Sequence, residues 1–120
     1  VGANVITVVG LAQDGNTQQI YSVTVNRTAP SNMASLSGLL ISKGTLSPAF
    51  SSGTTNYSEN VATNVNSLTL TPTLSNSLGT VTVNGDPIIN GQTTGQINLD
   101  FGANVISVIG TAQDGSTQQS

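Results

Sequence analysis

Residues 1–19, VGANVITVVGLAQDGNTQQ, return almost unchanged as residues 101–119, FGANVISVIGTAQDGSTQQ. The offset is 100 positions, and the five mismatches (Val1/Phe101, Thr7/Ser107, Val9/Ile109, Leu11/Thr111 and Asn16/Ser116) are mild. A match of that length marks a repeat of about 100 residues, preceded here by the tail of an earlier copy. In the first copy, Asn4 to Ala12 is rich in β-branched residues and runs into the turn signal Gln13-Asp14-Gly15-Asn16. Ile20 to Asn26 then alternates, with Tyr21, Val23 and Val25 on one face and Ser22, Thr24 and Asn26 on the other. Two such runs around an Asp-Gly turn predict an antiparallel hairpin.

The rest of the chain is punctuated in the same way. Residues 28–35 form a polar connector containing Pro30 and read as a linker between units, 1–27 before it and 36–120 after it. Strand-like runs follow at Leu36 to Ser42, Asn56 to Val61, Ser67 to Thr73, Thr80 to Val83, Asp86 to Ile89, Gln96 to Leu99 and Asn104 to Ala112. Pro48 lacks an amide donor and belongs at an edge or turn, while Pro72 is expected to weaken the end of its strand. Asn84-Gly85 suits the two positive φ angles of a type I′ hairpin turn. No window carries an apolar stripe at helical spacing with caps, so no helix is predicted. About seven short strands with frequent turns describe an all-β, immunoglobulin-like antiparallel sandwich.

Composition narrows the function classes. Of 120 residues, 36% are hydrophobic, enough for one modest core, but only 6% are charged. Soluble domains carry roughly 25% charge, so the polar surface here is Ser, Thr, Asn, Gln and Gly, a composition suited to secreted fibres and adhesins. Arg27 and Lys43 are the only cations and the net charge is −3, which leaves no basic face for nucleic acid or an anionic membrane. There is no Cys and no His, so disulfides, thiolate zinc sites and imidazole catalysis are excluded. No cofactor is expected, and a Ser nucleophile would have to rely on Lys43 or a carboxylate, so no enzyme is expected either. No apolar run approaches the roughly 20 residues of a membrane helix.

The order Leu36…Leu39…Ser42…Gly44-Thr45-Leu46-Ser47-Pro48-Ala49-Phe50, Tyr57, Val81-Thr82-Val83-Asn84-Gly85, Gly102-Ala103-Asn104-Val105-Ile106 and Ala112-Gln113-Asp114-Gly115 resembles the cadherin-like β-sandwich repeat of bacterial surface proteins. The resemblance covers residues 34–119, with an earlier copy's end at 1–27. It implies a seven-stranded sandwich, tandem arrays, a location outside the cell or on its surface, and a spacer or stalk role without catalytic activity.

One strand separates the two copies. After Gln18-Gln19 the first copy continues into Ile20 to Asn26, whereas Gln118-Gln119 is followed by Ser120 alone. The expectation is a sandwich completed from elsewhere, because an unpaired edge invites another strand. Three sources stand open: an adjacent covalent repeat, Ile20 to Asn26 of another copy, or the same chain reaching across its connector. The assembly residues are then Ile20, Tyr21, Val23 and Val25, and the partners are copies of the chain or adjacent repeats. A chain that begins inside a strand, at Val1-Gly2-Ala3-Asn4-Val5, reads as part of something longer.

The remaining candidates have plain readings. Asp14 and Asp114 are read as turn residues whose carboxylates satisfy nearby amides, and Asp86 before Pro87 likewise. Calcium needs several oxygens converging at about 2.4 Å, so no metal site is expected, Asp100 being the nearest to a candidate. Lys43 and Glu59 raise the thought of an isopeptide crosslink, but Lys43 at a strand end reads as a solvated lysine. Asn26-Arg27-Thr28 and Asn56-Tyr57-Ser58 match the N-glycosylation pattern. The alternative function is an accessory adhesin or carbohydrate-binding module using loops such as 84–92, although Tyr21, Phe50, Tyr57 and Phe101 are few for stacking on sugars.

Overall fold

The computed structural model describes all 120 residues, which divide into two units, 1–30 and 31–120. In the first unit, β1 (Gly2–Leu11) pairs antiparallel with β2 (Gln18–Arg27) in unbroken register from Gly2↔Arg27 to Leu11↔Gln18. The predicted hairpin is therefore present, one or two residues longer at most ends than the apolar run suggests. Both of its strands are exposed along their whole length.

The second unit is built from eight further strands: β3 (Leu36–Ile41), β4 (Ser67–Leu68), β5 (Leu70–Leu74), β6 (Thr80–Val83), β7 (Asp86–Ile88), β8 (Ile97–Asn98), β9 (Val108–Thr111) and β10 (Gln118–Gln119). One sheet runs β10-β9-β6-β7, and the pairs β3-β5 and β4-β8 supply the remaining ladders, all antiparallel. The chain contains no helix, and the architecture is the expected all-β sandwich.

Period-two alternation builds the core. In β5, Leu70, Pro72 and Leu74 are buried while Thr71 and Thr73 are only half-buried. Leu68, Leu70 and Val83 form the centre, and Ile41, Ile88, Ile97, Leu99, Ile106 and Val108 pack against it. Val81, at 1% exposure, is the most deeply enclosed large side chain, worth about 2 kcal/mol relative to an exposed valine. The Asn84-Gly85 turn has φ of 51° and 88°, as a type I′ turn requires, and fixes the register Val83↔Asp86 to Val81↔Ile88.

Several sequence expectations are corrected. Pro72 lies within β5 rather than at a failing end, and it is fully buried. The reason is which edge its missing amide faces. On that edge Leu70 N donates to Thr94 Oγ1 at 3.0 Å, Gly91 N donates to Pro72 O at 3.0 Å and Leu74 N donates to Asn90 Oδ1 at 2.7 Å. The Leu39↔Pro72 pairing with β3 thus loses no bond. The strand expected over Asn56 to Val61 reduces to one bridge, Ser47↔Ser58, because no neighbour reaches the residues on either side. The run expected over Asn104 to Ala112 is a strand only over β9. Within the connector, residues 31–35 pack with the second unit: Ala34 is buried, Asp114 N donates to Ser31 O at 3.1 Å and Ser75 N donates to Ser35 O at 2.9 Å.

Candidate functional site

The tips of the two repeated hairpins are the same structure twice. Asp14 Oδ1 accepts from Asn16 N and Thr17 N at 2.8 Å each, and Thr17 Oγ1 donates to Asp14 Oδ2 at 2.6 Å. Asp114 does the same with Ser116 and Thr117 at equal distances. Ala12 N donates to Thr17 O and Ala112 N to Thr117 O, both at 2.8 Å. The ladders leave these tips in one register: Leu11↔Gln18 and Gly10↔Gln19 in the first copy, Thr111↔Gln118 and Gly110↔Gln119 in the second.

The carboxylates are turn residues, as read from the sequence, and hydrogen bonds led by Thr17 and Thr117 lower both Asp pKa values to about 2. A depressed folded-state value means the folded state holds its proton more weakly than the unfolded chain. The stabilisation is full above the ordinary carboxylate range and disappears as pH falls through about 2. Carboxyl carbon NMR titration is expected to give midpoints near 2 for Asp14 and Asp114 in the parent. In Thr17→Val and Thr117→Val variants the neighbouring Asp should move toward ordinary values, and an unchanged midpoint would disprove the assignment.

Beyond Gln19 and Gln119 the copies part. In the first, Ile20–Arg27 covers the edge of Gly2–Val9. In the second, residues 102–107 belong to no strand, although their sequence, Gly-Ala-Asn-Val-Ile-Ser, nearly repeats Gly-Ala-Asn-Val-Ile-Thr of β1. Phe101 (92%) and Val105 (90%) are exposed there. The matching asparagines record the difference. Both side-chain amides donate to the carbonyl two residues back, Gly2 O and Gly102 O, but Asn4 Nδ2 also donates across the ladder to Val25 O, whereas Asn104 closes its own loop, donating to Asp100 O at 2.9 Å and accepting from Asp100 N at 3.0 Å.

Behind this edge lies an open cavity of about 900 Å³. Residues 103–108 and Gln119 line one side, Leu36, Leu39, Ile41, Leu68 and Leu70 the floor, and the loop carrying Phe50, Tyr57 and Glu59 the far wall. That loop is held by the Ser47↔Ser58 bridge and by Tyr57, whose hydroxyl donates to Ser51 O at 2.8 Å. Phe50 and Tyr57 stack with centroids 6.2 Å apart. They are the two aromatic side chains the fold brings together; Tyr21 and Phe101 are exposed. This wall was not legible as a site, since a pair seven positions apart in a loop has no strand period.

Glu59 is the one side chain of that wall whose polar atoms are covered and without a partner. Both of its carboxylate oxygens are covered and accept no hydrogen bond, and the group packs directly against Gly44, occupying the space a Cβ there would need. Burial raises its pKa. The sign is opposite to that of the turn aspartates: the folded state holds the proton more tightly, so stability is greatest below the ordinary carboxylate range and declines as pH rises through the folded value. Glu59→Gln is expected to be more stable than the parent at pH 7, by about 1 kcal/mol, and to converge with it near pH 4. Urea midpoints at the two pH values test this, and a variant less stable at pH 7 would show that the carboxylate is satisfied in solution.

The other candidates fall apart from one another. Lys43 is exposed, so the buried pairing a crosslink needs is not formed. No three acidic side chains converge, and the Asp100 backbone is engaged by Asn104. Asn26 lies in exposed β2, and Asn56 is exposed on the loop beside the cavity. In the segment 84–92, Asn84 Oδ1 accepts from Ser107 N and Asn90 Oδ1 from Leu74 N, so both side chains are spent on the fold. The exposed alternation of Tyr21, Val23 and Val25 in β2 matches the reading of these residues as an apolar strand face.

Comparison with known proteins places these features in context. A family model described as "Cadherin-like beta sandwich domain" matches residues 35–120. A protein of Evansella cellulosilytica bearing the name "Putative membrane protein" is 37% identical over 107 residues, which take in 88% of this chain and 16% of that protein. The chain thus spans a small part of that relative. No solved structure matches the chain.

Proposed function

The chain belongs to the cadherin-like beta sandwich domain family, and on that footing we propose that it is a structural building block of a prokaryotic surface or extracellular protein, joined end to end with like units. The observation that carries this reading is the hairpin that recurs 100 residues apart with the same turn bonds and the same register. A hairpin that recurs after 100 residues is what a chain built of like units in tandem carries. Self-association through strand edges, giving fibres, is the second part of the proposal. It rests on the low charge of the chain, which lets copies approach with little repulsion, and on the strands of the hairpin β1-β2, exposed along their whole length. Neither part asks the molecule to bind a cofactor, and the extracellular setting is supported by the family and the composition together.

The test is geometric. Concatemers of two, three and four copies of residues 20–119, in which each Gln119 is followed by Ile20, are measured by small-angle X-ray scattering. A stalk unit gives a maximum dimension that rises by a constant increment per copy. A dimension growing only as the cube root of mass, as for a compact cluster, would sink the spacer reading.

A further inference from the structure

We propose that Asn84 is a modification site, at which the chain deamidates itself to aspartate and isoaspartate with water as the only co-reactant. The inference goes beyond the structural reading above and concerns the turn that joins β6 to β7.

An amide side chain followed by glycine is open to attack by the next backbone nitrogen, because glycine has no Cβ to block the approach. The nitrogen of Gly85 bonds to Cγ of Asn84 and the Cγ–Nδ2 bond breaks, so that Nδ2 leaves as ammonia with the proton that Gly85 N gives up. The five-membered imide left behind then takes up one water. Opening at Cγ gives aspartate, and opening at the former main-chain carbonyl gives isoaspartate, whose backbone runs through the side-chain carbon.

The chain offers four places for this kind of attack: Asp14-Gly15, Asn84-Gly85, Asn90-Gly91 and Asp114-Gly115. The two aspartates carry ionised carboxylates, which are poor electrophiles, so the choice lies between the asparagines. Their nucleophiles separate them. Gly91 N is committed to Pro72 O at 3.0 Å, and Asn90 is half-buried with Leu74 N held on its Oδ1 at 2.7 Å. Gly85 N donates to no acceptor, because in a two-residue turn the ladder runs from Val83 to Asp86 and passes it by. Gly85 is exposed, and nothing lies within 4 Å of the place a Cβ would take.

The electrophile is prepared as well. Asn84 Oδ1 accepts from Ser107 N at 2.9 Å, and Asn84 N donates to Ser107 O at 2.8 Å. Attack at Cγ develops negative charge on Oδ1, where a backbone amide is already in place to receive it. The rotation that brings Gly85 N over Cγ is confined to two exposed turn residues.

The two products act differently on the fold. Aspartate tolerates the positive φ of 51° at this position and keeps an Oδ1 for Ser107 N. Isoaspartate adds a backbone atom to the two-residue loop and turns the carbonyl that held Ser107 into main chain. Val83 and Val81, both buried, lie directly behind that loop, so its lengthening loosens the sheet at β6.

The experiment holds the full chain at pH 8 and 37 °C, once folded and once unfolded in guanidinium chloride. Asn84 and Asn90 are followed by peptide mapping with electron-transfer fragmentation, which tells isoaspartate from aspartate. In the folded chain Asn84 is expected to convert about tenfold faster than Asn90, whose committed amide must first be freed, and in denaturant the two rates should converge. A folded ratio near one would overturn the site, whether both residues react or both are protected. So would a ratio that denaturant leaves unchanged, since the neighbouring sequence and not the fold would then set the rate. The isoaspartyl chain, separated by chromatography, should unfold at lower urea than the parent, while Asn84→Asp stays close to it. Equal midpoints for all three would overturn the consequence assigned to the longer loop.

Discussion

Gly110→Ala is expected to destabilise the second unit by about 3 kcal/mol, whereas Gly10→Ala, at the matching position of the first copy, should change stability by less than about 0.5 kcal/mol. The two glycines stand in nearly identical sequence, so the contrast isolates tertiary environment. A Cβ on Gly110 would run into the carbonyl oxygen of Ala34 and come within 2.9 Å of Leu74 Cδ2. Ala34 is buried and held by backbone bonds on either side, and Leu74 is a core residue, so neither can retreat cheaply. A Cβ on Gly10 meets only Gln19 O, at 3.8 Å, an ordinary contact. Urea unfolding of each variant is the measurement. Equal effects at the two positions would mean that Ala34 does not lie on β9 in solution, and the assignment of residues 31–35 to the second unit would go with it.

The second large effect is expected at the centre of the core. Leu70→Ala should cost about 3 kcal/mol and Leu40→Ala less than about 1 kcal/mol, although both leucines sit in the paired strands β5 and β3. Leu70 is packed with Leu68 and Val83, while Leu40 points outward, opposite Thr71. The cost at Leu70 combines lost burial with a cavity that its rigid neighbours cannot fill. The site is also adjacent to an opening, since Leu70 lines the cavity beneath the β9 edge. Urea unfolding of each variant is the measurement, and a loss at Leu70 as small as about 1 kcal/mol would overturn the expectation. A value that small would show that the core at this end is loosely packed.

What the residues disclose before any fold is known follows a physical division. The hairpins, their Asp-Gly tips and the Asn84-Gly85 turn were legible because each is decided within a few residues, by positive φ and by a carboxylate reaching amides two and three positions ahead. Pro72 was misread as a strand end because its cost depends on which edge lacks a donor, and that edge is set by Asn90, Gly91 and Thr94, some twenty residues away. Asn104 to Ser107 was read as strand from its composition, yet the nearly identical run in β1 shows what decides: a partner. The same letters are extended and paired where β2 lies alongside and irregular where nothing does. Of the candidate site, the alternating face of Tyr21, Val23 and Val25 was visible in the sequence. The cavity was not, because its floor comes from Leu36 to Ile41 and Leu68 to Leu70, and its far wall from a loop with no periodicity.

The paired aspartate turns bear on how the molecule ages. An Asp-Gly sequence is the usual place for a protein chain to rearrange: the glycine amide nitrogen attacks the aspartyl side-chain carbonyl and closes a succinimide with loss of water, and hydrolysis of the ring at the former backbone carbonyl leaves isoaspartate, which lengthens the chain path by one atom. That attack needs a protonated carboxyl free to swing over the following nitrogen. At Asp14 and Asp114 the carboxylate is kept ionised and pinned by three hydrogen bonds, and the nitrogens of Gly15 and Gly115 are committed to Ala12 O and Ala112 O at 3.0 Å. The reacting atoms are thus both occupied. Each hairpin carries its most fragile dipeptide in the conformation that retards its decay.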